Sequence, residues 1–223
     1  MRSYLPGHEL LGIYAIDAWI NKNSKLISQS GCIVTVVTPK QLGQISTQKS
    51  PNQVVGLLRY SISQPLLSLT KKELYLATDH IQDPGNMGNI FRMAEWFRIK
   101  YIFISNNSVD PYNPKAIQSG MGSIFRIPFH RGNLMTLLEP LSGSVPIYGT
   151  MLEGENIYKS AISSGGIIIL GNESKGISKE ISKIVTKPLF IPRFSESSNY
   201  PESLNVATAT GIVLSEFRRQ EFG

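Results

Sequence analysis

The chain has a single cysteine, Cys32, in 223 residues. Neither a disulfide framework nor a cysteine-rich zinc site can therefore be built within one chain, and the near-absence of cysteine fits a reducing compartment. No run of about 18 uncharged apolar residues occurs, so no membrane span is expected. The apolar stretch from Leu10 to Ile20 is broken by Asp17 and is followed by no small-residue cleavage site, so no export signal is expected either. Together these absences predict a soluble, cytoplasmic protein. His8, His80 and His130 share no metal-ligand spacing, and no metal is expected. The glycine patterns G-x-G-x-x-G and G-x-x-x-x-G-K-[ST] are both missing, which argues against a dinucleotide-dependent oxidoreductase and against a P-loop enzyme. There is no internal repeat and no low-complexity tract.

What is present is a chain with 41% hydrophobic residues, enough for a proper core. Lys and Arg number 22 against 16 Asp and Glu, a net charge of +6. That balance favours polyanionic partners, chiefly nucleic acid, although an ordinary basic surface would give the same sum.

Short β-branched and aliphatic runs alternate with helical patterns. Ile13 to Ala15, Ile33 to Val37 and Val54 to Leu58 read as strands, with helices from Asp17 to Leu26 and from Pro39 to Ile45 between them. Thr38 is placed to cap the second helix, with Pro39 at its first position. This small α/β unit spans residues 1–60, and the polar stretch 61–72, containing Pro65, reads as a linker. A second series fills 73–223. Its strands are expected at Leu74 to Thr78, Tyr101 to Ser105, Pro146 to Thr150, Gly166 to Leu170 and Pro188 to Ile191. Helices are expected at Asn89 to Phe97, Pro114 to Gly120, Leu134 to Leu138, Ser178 to Val185 and Ser203 to about Gln220. Such alternation predicts a mainly parallel sheet with helices on both faces, its ligands beyond the carboxyl ends of the strands.

Three constellations carry chemistry. In Asp83-Pro-Gly-Asn-Met-Gly-Asn-Ile-Phe-Arg92, Pro84 and Gly85 force a turn and Asn86 is placed to cap the following helix. Ile90, Phe91, Ala94 and Phe97 share the core face, leaving Asn89, Arg92 and Trp96 on another, where an arginine fork can grip a phosphate. Gly166-Ile-Ile-Ile-Leu-Gly-Asn-Glu-Ser-Lys-Gly176 reads as a buried strand entering a tight loop whose backbone can approach a ligand. The third runs from Ile191-Pro192 through a polar loop to Ser203-Leu-Asn-Val-Ala207, with Ser203 where a helix cap is wanted. The last helix is apolar on two faces, so one side is expected on the sheet and the other against a partner subunit.

In this order, the three segments resemble the three motifs of the SpoU (TrmH) RNA methyltransferases: N-x-G-x-x-x-R, then G-N-E-x-x-G, then I-P followed by S-L-N-V-A. Asn113-Pro-Lys115, Ser119 to Phe125, Ile127-Pro128 and Gly149-Thr150 resemble lesser blocks of the same family. The resemblance implies a SPOUT fold with a carboxyl-terminal trefoil knot and a homodimer. It also implies S-adenosylmethionine as cofactor and methylation of a ribose 2′-hydroxyl in RNA. By position, Gly171, Ile191 and Leu204 would touch the cofactor, mostly through backbone, with Thr150 nearby. Asn86, Arg92, Glu173, Ser203 and Asn205 would form the catalytic set. Arg92 would serve as base or, since a guanidinium is a very poor proton acceptor, as a clamp on the substrate phosphate. Asn86 and Asn205 would orient Arg92 or the ribose, while Ser203 and Glu173 brace the site. Residues 11–60 resemble the later part of a ribosomal-protein-like RNA-binding domain whose opening portion is absent or replaced by Met1 to Leu10. The segment from Arg193 to Glu202 is longer than the family's loop and lacks its usual glycine. Arg126, Arg131, Arg193, Arg218, Arg219, Lys71 and Lys72 are candidates for phosphate contacts. Ribosomal RNA is the expected substrate; transfer RNA, or RNA binding without turnover, are the alternatives.

Overall fold

A computed structural model describes residues 8–46, 48, 50, 52–59, 66, 68–194 and 203–222. The chain divides into two compact units, Met1–Ile62 and Ser63–Gly223.

The first unit is a three-stranded sheet of β1 (Leu10–Ala15), β2 (Ile33–Val36) and β3 (Val54–Leu58). Its order is β2-β1-β3, with β1 parallel to β2 and antiparallel to β3. The helix expected from Asp17 onward is two helices, α1 (Asp17–Lys22) and α2 (Ser24–Ser30). The break falls at Asn23, whose side-chain amide donates to the Trp19 carbonyl at 2.8 Å and so ends the first helix. In α3 (Pro39–Ile45) Thr38 accepts from Gln41 N while Gln41 Oε1 accepts from Thr38 N, a reciprocal cap with proline at the first turn. Ile13, Ala15 and Leu42 form the buried centre of this unit.

The second unit is a six-stranded sheet. Its strands are β4 (Leu74–Thr78), β5 (Ile102–Ser105), β6 (Phe129–Gly132), β7 (Ile147–Asn156), β8 (Gly166–Leu170) and β9 (Lys187–Phe190), in the order β6-β5-β4-β8-β7-β9. Every pairing is parallel, and the central strands β4 and β8 are buried along their whole length, as expected of a sheet covered twice. Side-chain alternation divides the core. Leu74 and Leu76 pack in one cluster with Met87, Ile90, Phe91 and Phe217, whereas Tyr75 and Ala77 pack in the other with Leu134, Leu138 and Ile181. The first cluster lies under α4 (Pro84–Trp96) and α7 (Val206–Phe222), the second under α6 (Leu134–Leu138); α5 (Pro114–Ser119) packs on α4. Among the described residues no helix is long and apolar enough to cross a membrane.

Three local expectations are corrected. Residues 178–185 do not form an α-helix; only a 3-10 turn, Ile181–Ile184, is present. Strand β6, Phe-His-Arg-Gly, was not foreseen because four mixed polar residues at a sheet edge carry no period-two signal. Strand β7 runs past Thr150, and its pairing with β9 skips from Thr150 to Glu155.

Three carboxylates of this unit hold their protons less tightly than usual. Arg126 binds Glu95, assisted by the Ser123 hydroxyl, Arg219 binds Glu216, and the Asn86 backbone N–H with Lys115 does the same for Asp83. Their folded pKa values lie below the unfolded ones, so the unfolded chain takes up these protons first as pH falls. The melting temperature is therefore expected to hold above the ordinary glutamate value of 4.5 and to drop as pH falls below it; thermal denaturation in a pH series checks this.

Candidate active site

The site assembles at the carboxyl ends of β4 and β8. Directly after β4 the chain reaches Asp83, whose Oδ1 accepts from Asn86 N at 2.8 Å and caps α4, with Pro84 in the first turn. Asn86 was expected to be the cap. Proline lacks an N–H and prefers the first helical position, so the residue before it takes that role. Asn86 lies inside the first turn, its side chain free to reach outward.

That side chain meets the loop after β8. Asn172 and Gly176 exchange two backbone hydrogen bonds of 2.9 Å, and the Asn172 side-chain oxygen accepts from Ser174 N and Lys175 N. Gly171 has to be glycine here: a Cβ would stand 2.3 Å from the Gly176 carbonyl carbon and the Ile177 nitrogen. The tight loop holds out Glu173, whose Oε1 accepts from Asn86 Nδ2 at 2.8 Å. Asn86 Oδ1 in turn accepts from Asn205 Nδ2 at 2.9 Å. Asn205 also starts α7, its Oδ1 accepting from Ala207 N at 2.9 Å and Thr208 N at 3.3 Å. It, and not Ser203, is the cap; Ser203 lies exposed outside the helix.

Three of the expected catalytic residues, Asn86, Glu173 and Asn205, thus join in one hydrogen-bonded chain although 87 and 119 positions separate the paired residues. Arg92 is not in that chain. Six residues further along α4, about 9 Å along the axis, it is exposed and lines an open cleft of about 590 Å³ between α4 and α7 with Met93, Trp96, Tyr158 and Ile212. Among the described residues it makes no hydrogen bond or ion pair.

The four expected cofactor positions lie toward the same end of the sheet. Gly171 and Ile191 directly follow β8 and β9, Thr150 lies within β7 where its pairing with β9 is interrupted, and Leu204, half exposed, precedes Asn205. Thr150 Oγ1 donates to the Ile169 carbonyl at 3.0 Å, tying β7 to β8. These positions offer backbone amides, carbonyls and aliphatic side chains, without a charge. Such a lining fits an adenine edge better than it fits a phosphate.

The surface arginines behave differently from expectation. Arg126 binds Glu95, Arg131 donates to the carbonyls of Asn106 and Ser108, Arg218 to those of Phe97 and Arg98, and Arg219 to Glu216. Arg126, Arg131 and Arg218 tie separate parts of the fold together, and Arg219 pairs with a carboxylate on its own helix. Lys71, Lys72 and Arg193 are exposed; residues 195–202 of the long loop lie outside the described residues. No group of three or more potential metal ligands occurs among the described residues.

Residues 73–215 match the model of the SpoU rRNA Methylase family. The chain belongs to that family. It is 27% identical over 192 residues to the 23S rRNA (guanosine(2553)-2′-O)-methyltransferase RlmP of Bacillus subtilis, covering 85% of this chain and 74% of that protein. Among solved structures it resembles a putative RNA methyltransferase of the TrmH family from Porphyromonas gingivalis. The TM-score there is 0.82 at 30% identity, over 97% of this chain and 85% of that one. It also resembles an AdoMet-bound rRNA methyltransferase from Sinorhizobium meliloti, with TM-score 0.81 at 26% identity over 96% and 81%. The SpoU likeness read from three motifs and the parallel α/β architecture therefore hold.

Proposed function

We propose that this SpoU-family chain transfers a methyl group from S-adenosylmethionine to a ribose 2′-hydroxyl of RNA, with ribosomal RNA as substrate. The observation that carries the reading is the Glu173–Asn86–Asn205 chain of hydrogen bonds, which draws one residue from each of three distant motifs to the ligand end of a parallel sheet. Relatives acting on 23S rRNA favour the ribosomal substrate over transfer RNA.

In this reading the neutral backbone-rich lining at Thr150, Gly171, Ile191 and Leu204 holds the cofactor, which supplies an electrophilic methyl group on sulfonium. The chain's own residues orient the acceptor. Glu173 fixes the Asn86 amide, and with Asn86 and Asn205 locked to one another the ribose meets a preset pair of amides, which lowers the entropic cost of alignment. Arg92 grips a substrate phosphate, while that phosphate or water takes the hydroxyl proton. Ser203 braces the same rim. No metal enters this scheme.

A homodimer belongs to the same proposal. Trp96 is 81% exposed on the wall of the cleft between α4 and α7, and so large an exposed indole beside other apolar groups is suited to burial against a second copy. Trp96→Glu is expected to shift the protein from dimer to monomer in sedimentation experiments while leaving the monomer folded. The trefoil knot, the amino-terminal unit of residues 1–60 as an RNA-binding module, the linker 61–72, of which residues 61–65 and 67 lie outside the described residues, and a cytoplasmic location complete the proposal. It is tested by incubating the protein with labelled S-adenosylmethionine and unmodified ribosomal or transfer RNA. Label in ribosomal RNA supports it; label in transfer RNA alone moves the substrate. Absence of both transfer and cofactor binding favours an RNA-binding protein without turnover.

A further inference from the structure

Beside the catalytic rim, at the carboxyl end of β4, stands a histidine held on every polar atom. Asp79, 1% exposed, accepts from Ser178 N through one carboxylate oxygen at 2.7 Å, and its other oxygen lies 2.6 Å from His80 Nδ1. His80 Nε2 is 2.8 Å from the Asn107 side-chain amide. The backbone N–H of His80 donates to Ser105 Oγ at 2.9 Å, and its carbonyl accepts from Asn172 Nδ2 at 2.8 Å. Groups from the ends of β4, β5 and β8 therefore fix one ring. With its Nδ1 proton donated to Asp79, the ring's Nε2 accepts the Asn107 N–H, the arrangement by which a carboxylate sets an imidazole tautomer.

Two features make this more than a way to satisfy a buried carboxylate. His80 sits at φ 60°, a left-handed conformation that glycine adopts freely and other residues adopt at a cost. Its side chain is nevertheless 40% exposed, and a second clamp, Asn107, steadies the outward edge. The Asn107 amide keeps another N–H for an acceptor. The ring also belongs to the catalytic rim. Asn172, which holds the His80 carbonyl, places the same Nδ2 3.4 Å from Glu173 Oε2, and Glu173 holds Asn86.

We propose that His80, oriented by Asp79, is a substrate-positioning residue: it holds Asn107 so that the spare amide N–H of Asn107 donates to the sugar–phosphate backbone of the RNA strand beside the target ribose, with the exposed edge of the ring packed against that strand. The assignment rests on the methyltransferase reading above. Backbone contacts of this kind fix register without reading sequence.

His80→Gly isolates the ring, because glycine keeps the left-handed backbone. At saturating S-adenosylmethionine the KM for RNA is expected to rise about tenfold with kcat within about twofold of wild type, the pattern of lost ground-state binding. The melting temperature is expected to fall, because the buried Asp79 carboxylate loses its ring partner, so the split between KM and kcat is the deciding readout. His80→Asn, which tolerates the same φ and restores a short amide, is expected to recover part of the KM. An unchanged KM for His80→Gly overturns the proposal; a lowered melting temperature alongside it assigns the ring to neutralising Asp79. A fall in kcat with KM unchanged also overturns it. Should wild-type protein methylate no RNA, the methyltransferase reading itself falls, an outcome distinct from a wild type that turns over and a variant that matches it.

Discussion

Arg92→Ala is expected to lower kcat/KM for RNA methylation by about 10²–10³-fold, the scale of losing one preorganised charged donor, without lowering the melting temperature. The two halves of this expectation have separate grounds. Arg92 points away from the core face of α4, where Met87, Ile90, Phe91 and Ala94 are buried. It forms no hydrogen bond or ion pair among the described residues, so truncating it removes nothing the fold uses. An exposed arginine with no hydrogen bond or ion pair among the described residues sits beside an apolar cleft, while Arg126, Arg218 and Arg219 are engaged with carboxylates or carbonyls. Its guanidinium is available for substrate. Arg92→Lys keeps the charge and loses the planar two-pronged donor, so it is expected to restore little. Initial rates and thermal melts on the two variants check both halves, and near-normal activity in the lysine variant would sink the planar-fork argument.

The largest stability effect is expected at Gly88, where α4 crosses α5. A Cβ there would stand 2.0 Å from Ser119 Oγ, 2.2 Å from the Ala116 carbonyl oxygen and 2.7 Å from Gly120 N. A serine side chain can turn aside; two backbone atoms cannot. Gly88→Ala must push the two helices apart and drag the first turn of α4, which carries Asn86, away from Glu173. The expected cost is on the order of 3 kcal/mol, roughly 6–12 °C in melting temperature for a chain of this size. Gly211→Ala on α7 is the matched control. Its Cβ meets only Met93 Sδ, at 3.6 Å, and alanine favours helix by about 1 kcal/mol. A Gly88→Ala variant that melts like wild type would show that the crossing is looser than described.

Much of this was legible in residues. The uninterrupted run Gly166 to Leu170 foretold a strand buried on both faces, and the motif order N-x-G-x-x-x-R, G-N-E-x-x-G, S-L-N-V-A foretold the family. The exposure of Arg92 and Trp96 followed from helical spacing. What was not legible came from choices that depend on three-dimensional neighbours. Asn86 and Ser203 are good capping types, yet Asp83 precedes a proline and Asn205 sits nearer the first turn of α7, so the caps moved by a few residues. That shift matters to function, for it releases the Asn86 side chain to Glu173. The surface arginines looked alike in sequence, and only packing separates Arg126, locked to Glu95, from Arg92. His80 carried no usable signal beyond its place before the first motif. Its clamps, Asn107 and Asn172, lie 27 and 92 positions away.

The most direct test of the central claim is the chemical position of the transferred methyl group. RNA labelled by the protein from S-adenosylmethionine would be hydrolysed in alkali, which cleaves next to every free 2′-hydroxyl and spares a methylated one. The account predicts label in alkali-resistant dinucleotides from ribosomal RNA, and its near loss when Arg92→Ala replaces the wild type. Label released in mononucleotides would place the methyl group on a base and contradict it.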